Sequence, residues 1–347
     1  MATERQDLTS RRENNLNSFG RRFITILISV AAVLAAATLF VIAFIYNYTS
    51  GEDSHPSNIN KLMKVVDIDG ERYLKKDVTT YLVMGIDKYG DMQAQGSEQS
   101  DFLALVVVDK DTESFSIVHI NRDSMVYAWV YSNTIGKYYK YTEMQICLSH
   151  AYGGTSKQRC ENTRDAVTTL FLNYDIIDYY VAISMDAIGY FVDLVDGVPI
   201  TLDTEADLTS LDPTWIPGTT VTLTGENAEK YIRARSSVGD GTNLGRMNRQ
   251  KNFMESYLRR VKEHGINTEI TEETLKQANN IDTDLTITHI NYVYKNLKDY
   301  RFNGYFVPDG VGYHYWEEGN KGKKYYEWYV DEDSVKNIVL DLYYEKL

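Results

Sequence analysis

The chain has 347 residues and a formal net charge of −13, with 43% hydrophobic and 24% charged residues. Such an acidic chain is a poor partner for nucleic acid or for an anionic membrane surface, so its bulk charge argues against both ligand classes. Residues 1–22 differ, because they carry five Arg against three acidic residues, which leaves −15 for the remainder. About 300 residues follow the first apolar segment, enough for one large domain or two small ones.

A long apolar segment, Phe23–Tyr46, follows the basic amino-terminal tail. A helix needs about 20 apolar residues to cross a bilayer, and this segment is long enough to do so. Basic residues that flank a span stay in the cytoplasm, so Arg21 and Arg22 predict a single-pass cell-membrane protein. Residues 1–22 would be cytoplasmic, and everything from about Ser50 would be extracytoplasmic. The alternatives are a cleaved signal peptide, for which the apolar run is too long, and a buried core helix.

Residues 47–80 are rich in Asn, Ser, Lys and Asp, and this composition predicts an extracytoplasmic stalk with little structure. Three short apolar runs then predict strands at Tyr81–Ile86, Phe102–Val108 and Phe115–Ile120. The polar turn Asp109–Glu113 predicts that the second and third strands form a hairpin.

Helix and strand patterns alternate along the rest of the chain. Helices are predicted at Asn162–Leu172, after the caps Asp186 and Thr224, at Met247–Val261 and at Ser334–Tyr344, and a further strand at Tyr179–Ile183. Strands interleaved with helices on both sides of a hydrophobic sheet predict an α/β fold. We expect a three-layer α/β/α sandwich with a central mixed sheet, preceded by the transmembrane helix. No linker is evident after residue 81, so residues 81–347 are predicted to form one domain.

Two residue types leave alternatives open. Cys147 and Cys160 both lie in the part expected outside the cell, where a disulfide is permitted, although two buried free thiols would also fit. We expect the disulfide, which would close a loop around His150–Gly154. Tyr is abundant, at 28 residues. Tyr rings can stack on sugars or fill a groove, or they are ordinary half-buried strand residues.

Acidic side chains lie at the ends of the predicted strands. Asp87 follows the first strand directly, and Asp101 precedes the second. If these strands are antiparallel neighbours, the two carboxylates meet at one edge of the sheet and repel unless a cation lies between them. Mg²⁺ commonly binds through one or two carboxylates together with phosphate oxygens. The alternative is that both are ordinary turn residues.

Four Arg fall within 17 residues of this otherwise acidic chain, namely Arg233, Arg235, Arg246 and Arg249. Arg246 and Gln250 are four residues apart at the start of a predicted helix, so they project from one face. A planar guanidinium binds phosphate through two parallel hydrogen bonds, and several such groups would suit a pyrophosphate. The alternative is a set of solvated surface arginines.

The order and spacing of eight short motifs resemble the LytR-CpsA-Psr family of bacterial cell-envelope proteins. The motifs are YLVMGID (81–87), QSDFLALVVVD (99–109), IVHINRD (117–123), HAYGG (150–154), IDYYVAI (177–183), VDLVDGV (192–198), LTGENAEKYIRAR (223–235) and GRMNRQ (245–250). The resemblance implies a membrane-anchored extracytoplasmic enzyme. Such an enzyme moves a glycopolymer from a polyprenyl-pyrophosphate carrier to peptidoglycan and forms a phosphodiester. Teichoic acid, capsular polysaccharide and other secondary wall glycans are all open as the polymer.

The resemblance also implies roles for single residues. Asp87 and Asp101 would hold the Mg²⁺ cofactor, and Asp101 and Arg122 would take part in catalysis. The pyrophosphate would bind to Arg122, Arg233, Arg235, Arg246 and Gln250. We expect these groups to converge beside the two Asp. In the absence of substrate, carboxylates such as Asp101 or Asp123 should pair with some of the Arg.

Two positions depart from the family pattern. Lys140 lies ten residues before His150, whereas the family often has Lys close before its Ala-Tyr motif, and Asn121 stands where Pro is usual.

The nucleophile would be a sugar hydroxyl of peptidoglycan, with Asp101 or Asp123 to remove its proton. Two other functions remain open: a phosphatase that releases the same lipid pyrophosphate to water, and a non-catalytic envelope protein that binds anionic polymer.

Overall fold

The computed structural model describes residues 65–87, 98–235, 238, 243–264, 280–285, 300–316 and 324–347. The predicted span Phe23–Tyr46 lies outside these ranges, and within them no helix is both long and apolar enough to cross a membrane. The described residues divide into two compact units. The sheet unit holds those of Asn47–Met185, Ile281–Leu285 and Tyr300–Leu347, and the second unit holds those of Asp186–Asn280.

The elements are numbered in chain order. The strands are β1 (Val65–Ile68), β2 (Glu71–Lys75), β3 (Val78–Asp87), β4 (Gln99–Asp109), β5 (Ser114–His119), β6 (Met125–Ser132), β7 (Lys137–Gln145), β8 (Tyr179–Ser184), β9 (Val198–Thr201), β10 (Thr220–Leu223), β11 (Ile281–Thr283), β12 (Arg301–Phe306), β13 (Gly310–Trp316), β14 (Lys324–Val330) and β15 (Tyr344–Lys346). The helices are α1 (Ser156–Leu170), α2 (Ile188–Asp193), α3 (Gly225–Arg233), α4 (Asn243–His264) and α5 (Glu332–Tyr343), with 3₁₀ helices at Ile146–Ala151 and Met185–Ala187.

A mixed six-stranded sheet forms the centre of the sheet unit, with the strand order β11-β8-β3-β4-β5-β12. β4 is antiparallel to both β3 and β5, whereas β8 is parallel to β3 and β12 is parallel to β5. The predicted mixed sheet and the predicted hairpin are therefore confirmed. Every residue from Leu103 to Val108 in β4 is buried, as expected for a strand covered on both faces.

The hydrophobic core of the sheet unit includes one face of this sheet. Leu82 and Met84 of β3 and Leu105 of β4 belong to the same buried cluster as Val167 of α1 and Val339 of α5. Apolar residues recur at helical spacing in both helices, so each turns one apolar face to the core. Burial of a large aliphatic side chain contributes about 1.5–3 kcal/mol, and this cluster therefore anchors the strands that carry the site.

The strands β1 and β2 correct the prediction that residues 47–80 form a stalk with little structure. They pair as an antiparallel hairpin, and its two turn residues, Asp69 and Gly70, both have positive φ. β2 also pairs with β15 at the other end of the chain. The local composition of these strands contains no information about a partner at the other end of the chain. The sequence therefore predicts a stalk with little structure in this region. Residues 47–64 lie outside the described ranges.

The second unit contains the β9–β10 hairpin and the helices α2, α3 and α4. α3 begins after Thr224, as predicted, and the Thr224 backbone N–H donates to Asn227 Oδ1 at 2.8 Å. α2 and α3 approach closely, since a Cβ on Gly189 would come within 2.5 Å of the Gly225 carbonyl oxygen. Glycine at this position is therefore a packing requirement.

The helix cap predicted at Asp186 is wrong. The 3₁₀ turn Met185–Ala187 precedes α2 and makes Ala187 its N-cap. The chain passes from the sheet unit to the second unit inside this same turn, between Met185 and Asp186. No Gly-, Pro- or Ser-rich linker marks the passage, which is why composition alone predicts a single domain.

Candidate functional site

The edge of the sheet at the end of β3 carries the two predicted metal ligands. β3 and β4 are antiparallel, and Asp87 lies opposite Gln99. The register shifts between Gly85 and Ile86, and this shift leaves Asp101 as the extra residue of a β-bulge. A bulge re-aims a side chain, and bulges are over-represented beside active sites. Asp87 and Asp101 therefore lie at the same end of neighbouring strands, where the sequence analysis expects them.

Gly85 permits the close packing at this bulge. A Cβ at Gly85 would lie 2.7 Å from Met185 Sδ and 2.9 Å from Phe102 Cβ. Both distances are well below the 3.5–4.0 Å optimum of ordinary carbon contacts. A side chain here would push on β4 next to Asp101.

Arg122 follows β5 and reaches the same edge. Its Nη1 atom donates to Asp101 Oδ1 at 2.5 Å, and Nη2 donates to Gln99 Oε1 at 2.5 Å. Nη2 also lies 2.8 Å from Cys147 Sγ, and Nε lies 3.8 Å from Asp123 Oδ1. The expectation that a carboxylate such as Asp101 pairs with one of the Arg is therefore confirmed for Arg122.

The electrostatic environment keeps Arg122 charged. Burial alone would lower the pKa of Arg122, but Cys147, Asp101 and Asp123 outweigh burial and raise that pKa above its ordinary value. The guanidinium is thus a permanent cation with two acidic neighbours. It can compensate the charge of a phosphate without a proton being taken up.

Asp123 is held more deeply than Asp101. Its side chain is buried, and Gln145 Nε2 donates to Asp123 Oδ1 at 3.2 Å while also donating to the Tyr326 carbonyl oxygen at 2.6 Å. The Asp123 backbone N–H donates to Asn121 Oδ1 at 3.0 Å. Asn121, which replaces the usual family Pro, thus stabilises the turn that carries Arg122.

The predicted disulfide is wrong, because Cys147 and Cys160 are both free and buried. Cys147 Sγ lies beside Arg122, whereas Cys160 Sγ lies 3.7 Å from Nε2 of His150. The two sulfurs therefore have different polar neighbours. Burial raises the pKa of both thiols, and it raises the pKa of Cys147 to about 11 although Arg122 opposes the shift.

The remaining predicted phosphate-binding residues lie in the second unit. Arg233, the last residue of α3, pairs with Glu229 at 2.9 Å, and Arg235 lies two residues beyond it. Arg246 is buried on the first turns of α4, where Nε donates to Asn243 Oδ1 at 3.0 Å. Their expected convergence with Asp87 and Asp101 stays a prediction.

Arg249 and Gln250 tie α4 to the end of α3. Arg249 Nε donates to the Tyr231 carbonyl oxygen at 3.1 Å, and Arg249 Nη2 donates to the Ala234 carbonyl oxygen. Gln250 Nε2 donates to the Ile232 carbonyl oxygen at 3.4 Å. The last carbonyls of a helix have no partner within the helix, so these side chains supply the missing donors. Arg249 therefore has a structural role that its motif did not reveal.

No group of three or more His, Cys, Asp or Glu in the described ranges is arranged to hold a metal ion. The edge of the sheet offers the two carboxylates of Asp87 and Asp101. That number is sufficient for Mg²⁺ when phosphate oxygens complete the coordination.

Residues 41–337 match the LytR_cpsA_psr family. The chain belongs to the LytR-CpsA-Psr family. It is 26% identical over 256 residues to a polyisoprenyl-teichoic acid–peptidoglycan teichoic acid transferase TagU of Bacillus cereus. The aligned region covers 71% of this chain and 76% of the relative. Its fold is similar to that of B. subtilis TagU, with a TM-score of 0.50 and 24% identity over 77% of this chain and 96% of the other. TagT bound to LIIa-WTA is similar too, with a TM-score of 0.53 and 21% identity over 77% of this chain and 90% of the other.

Lys140, which the sequence places ten residues before His150, lies on the second strand of the β6–β7 hairpin. Lys140 lies on β7, opposite Val130, and is exposed.

The sequence did not predict that Gln99 and Cys147 contact Arg122, or that Gln145 binds Asp123. Gln99 belongs to the same quoted motif as Asp101, so its position was a usable signal. The other two reach Arg122 or Asp123 only through tertiary folding.

Proposed function

We propose that this protein transfers a glycopolymer, of the teichoic acid class by analogy with its named relatives, from a polyprenyl-pyrophosphate carrier to peptidoglycan. Family membership and the named activity of the B. cereus relative support the proposal. The observation that carries it is the pairing of Arg122 with Asp101 at the bulged end of β4, where β3 also ends in Asp87. A permanent cation and two carboxylates at one edge are the groups that phosphoryl transfer requires.

The carboxylates of Asp87 and Asp101 fit a Mg²⁺ ion. They are hard oxygen donors on adjacent antiparallel strands, and Asp101 already has a cationic partner that offsets carboxylate repulsion. When bound, the ion would polarise phosphate oxygens as a Lewis acid. The proposed Mg²⁺ site thus rests on the chemistry of its two carboxylate donors.

In the proposed reaction, a hydroxyl oxygen of peptidoglycan attacks the phosphorus atom that carries the glycopolymer. A P–O bond to the acceptor forms, the P–O bond to the bridging oxygen breaks, and polyprenyl phosphate leaves. Arg122 would share its Nη1 and Nη2 donors with phosphate oxygens as negative charge develops on them. In the structure the same donors bind Asp101 and Gln99.

We assign the hydroxyl proton to Asp101. Its side chain remains partly exposed, and phosphate binding to Arg122 would free it from part of its ion pair. Asp123 is the poorer base, because its side chain is buried and bound by Gln145. A base must come within hydrogen-bond reach of the proton that it removes.

The pyrophosphate-binding role of Arg233, Arg235, Arg246 and Gln250 comes from their motif positions. The fork geometry of Arg suits phosphate better than the point charge of Lys. Lys at Arg233 or Arg235 should therefore restore binding poorly. Measurement of the Kd for lipid pyrophosphate with each variant tests this assignment.

We further propose that Phe23–Tyr46 anchors the protein, with the catalytic part outside the cell. Protease added to intact protoplasts should digest the large carboxy-terminal part, because that part would lie outside the membrane. Survival of that part in intact protoplasts, with digestion after lysis, would overturn the proposed topology.

Product analysis separates transfer from hydrolysis. The full-length protein in detergent is mixed with lipid-linked teichoic acid, with and without peptidoglycan. The proposal expects release of polyprenyl monophosphate together with polymer bound to peptidoglycan. Equal release without acceptor, and no bound polymer, would identify a phosphatase instead.

A matched pair of variants tests whether catalysis depends on the bulge. Asp101→Asn should abolish transfer, whereas Asp111→Asn, in the exposed turn between β4 and β5, should not. Full binding of polymer with no turnover by the wild type would indicate the non-catalytic alternative.

A further inference from the structure

The β6–β7 hairpin presents an exposed aromatic face. Residues of β6 alternate, so that Val126, Ala128 and Val130 enter the core while Tyr127 and Trp129 point outward. Trp129 is 44% exposed and Tyr127 is 51% exposed. Single exposed apolar residues are common, but a contiguous set of them marks an interaction surface.

The aromatic rings of this face contact one another across the two strands. Trp129 pairs with Tyr141 in register, and their ring centroids are 5.0 Å apart. Tyr127 lies 5.7 Å from Tyr141, and Tyr131 lies 5.2 Å from Tyr138. Trp129 also lies 6.4 Å from Tyr138, so the aromatic face, defined by these five residues, is continuous across β6 and β7. Outward residues two apart on a strand are separated by roughly 6.6–6.8 Å.

Buried neighbours hold this exposed row in place. Asn162 of α1 is buried, and its side chain accepts from the Trp129 backbone N–H at 3.3 Å and donates to the Trp129 carbonyl oxygen at 2.9 Å. Tyr138 donates to the Gln158 carbonyl oxygen at 3.0 Å. A Cβ on Gly154 would lie 2.7 Å from the Tyr131 ring. These contacts fix the backbone that carries Trp129 and the rings of Tyr131 and Tyr138, which reduces the entropy lost on binding.

The aromatic face is continuous with the candidate site. β6 begins three residues after Arg122, and its first residue, Met125, pairs with Gln145, which binds Asp123. The hairpin carries two Lys and one Glu, whereas the whole chain carries −13. This face therefore extends from the site and lacks the acidic character that would repel an anionic wall polymer.

We infer that the aromatic face binds the glycan strand of the peptidoglycan acceptor. One face of a pyranose ring carries C–H groups with partial positive charge, and these lie favourably against the electron-rich face of an aromatic ring. A row of such rings suits an extended chain of sugars. A polyol-phosphate chain offers no comparable flat face. The inference rests on the proposed function, because it assigns the acceptor of that reaction.

Binding to isolated wall tests the inference. The full-length protein in detergent is incubated with peptidoglycan sacculi stripped of secondary polymers, and the bound fraction is measured against sacculus concentration. Trp129→Ala and Tyr141→Ala should each weaken binding roughly tenfold. Trp129→Phe keeps a ring and should retain most of the affinity. Tyr313→Ala, at an exposed ring on β13, is the matched control and should bind as the wild type does.

Unfolding midpoints are measured for all variants, because each Ala variant, the Tyr313→Ala control included, loses a ring contact. Binding is then compared at a temperature at which every variant is folded. In the transfer assay, Trp129→Ala should raise the KM for the acceptor and leave kcat near the wild-type value. Soluble tetra-N-acetylglucosamine should quench or enhance Trp fluorescence in the wild type and not in Trp129→Phe/Tyr141→Ala.

Three results would overturn the inference. The first is sacculus binding by Trp129→Ala that equals the wild type. The second is a loss confined to binding of anionic lipid vesicles, and the third is a loss confined to self-association. Binding is scored separately from transfer, so a wild type that binds through this face but transfers nothing would refute the proposed function while supporting the glycan surface.

Discussion

Arg122 Nη1 donates to Asp101 Oδ1 at 2.5 Å, at the bulge where β4 has one residue more than β3. The bulge brings the carboxylate out of the regular alternation of the strand, and the turn after β5 delivers the guanidinium to it. Neither group is free in this arrangement, since Gln99 and Cys147 also contact Arg122. Phosphate oxygens that bind Arg122 would therefore have to share or replace hydrogen bonds that the guanidinium already makes to Asp101 and Gln99.

Removal of the Asp101 charge should abolish transfer and leave the fold intact. Asp101→Asn should lower kcat by ~10²–10³-fold or more, the usual cost of losing one electrostatic group. The unfolding free energy should fall by only ~1–3 kcal/mol, because Arg122 keeps Gln99 as a partner. A Mg²⁺ titration of transfer activity checks the first effect and denaturant unfolding checks the second, each with Asp111→Asn as the control. Full activity of Asp101→Asn across that titration would refute the metal assignment.

Gly85→Ala should destabilise the protein and also reduce activity. The added Cβ would meet Met185 Sδ at 2.7 Å and Phe102 Cβ at 2.9 Å, and Phe102 Cβ is fixed to the backbone of β4. Overpacking of this kind costs ~1–3 kcal/mol. Denaturant unfolding measures the loss. An unchanged midpoint and unchanged turnover would show that the bulge tolerates the methyl group.

Both cysteines should be found as thiols in protein prepared without reductant. Alkylation after denaturation should label two sites, and intact mass should show no loss of two hydrogens. The folded protein should resist alkylation at neutral pH, because burial raises the pKa of Cys147 to about 11. Since the folded value lies above the ordinary value of 9.0, this thiol favours the folded state below pH 9. That contribution disappears as the pH rises towards 11. A cross-link between the two cysteines in the purified protein would contradict the structure.

Arg249→Ala should lower stability more than the neighbouring Arg259→Ala. Arg249 supplies donors to the Tyr231 and Ala234 carbonyl oxygens, whereas Arg259 is exposed and its guanidinium donates to Ser256 Oγ. Hydrogen bonds to charged groups contribute ~1.5–3 kcal/mol, so the two variants should differ by about that amount. Thermal unfolding of both variants makes the comparison. Equal thermal unfolding midpoints for the two variants would contradict the structural role of Arg249.

The central sheet was predictable because its signals are local. The apolar runs at Tyr81–Ile86 and Phe102–Val108 identify strands, and the polar turn after the second identifies the hairpin. The pairing of β2 with β15 was not predictable, because its partner lies at the far end of the chain. The hairpin turn at Asp69-Gly70 was a local signal that composition obscured.

The ion pair between Asp101 and Arg122 was predictable, whereas the residues that support it were not. Asp101 and Arg122 stand in recognisable motifs, and their ion pair confirms the expected carboxylate partner. Cys147 was expected in a disulfide, since spacing shows where a thiol lies in the chain but not where its sulfur points. Gln145 binds Asp123 from a strand that the sequence analysis did not identify. The bulge itself depends on register, which a single strand sequence does not contain.

The most direct test of the account follows radioactive phosphorus in the lipid-linked donor, with the label in the phosphate next to the glycopolymer. The full-length protein is incubated with this donor, Mg²⁺ and stripped peptidoglycan, and the insoluble wall is washed and digested with a muramidase. Label should enter the wall as a phosphodiester on a muropeptide, and Asp101→Asn and Arg122→Lys should each reduce this product ~10²-fold or more. Label that appears only in soluble phosphate monoester, or wall labelling that survives both substitutions, would contradict the proposed transfer.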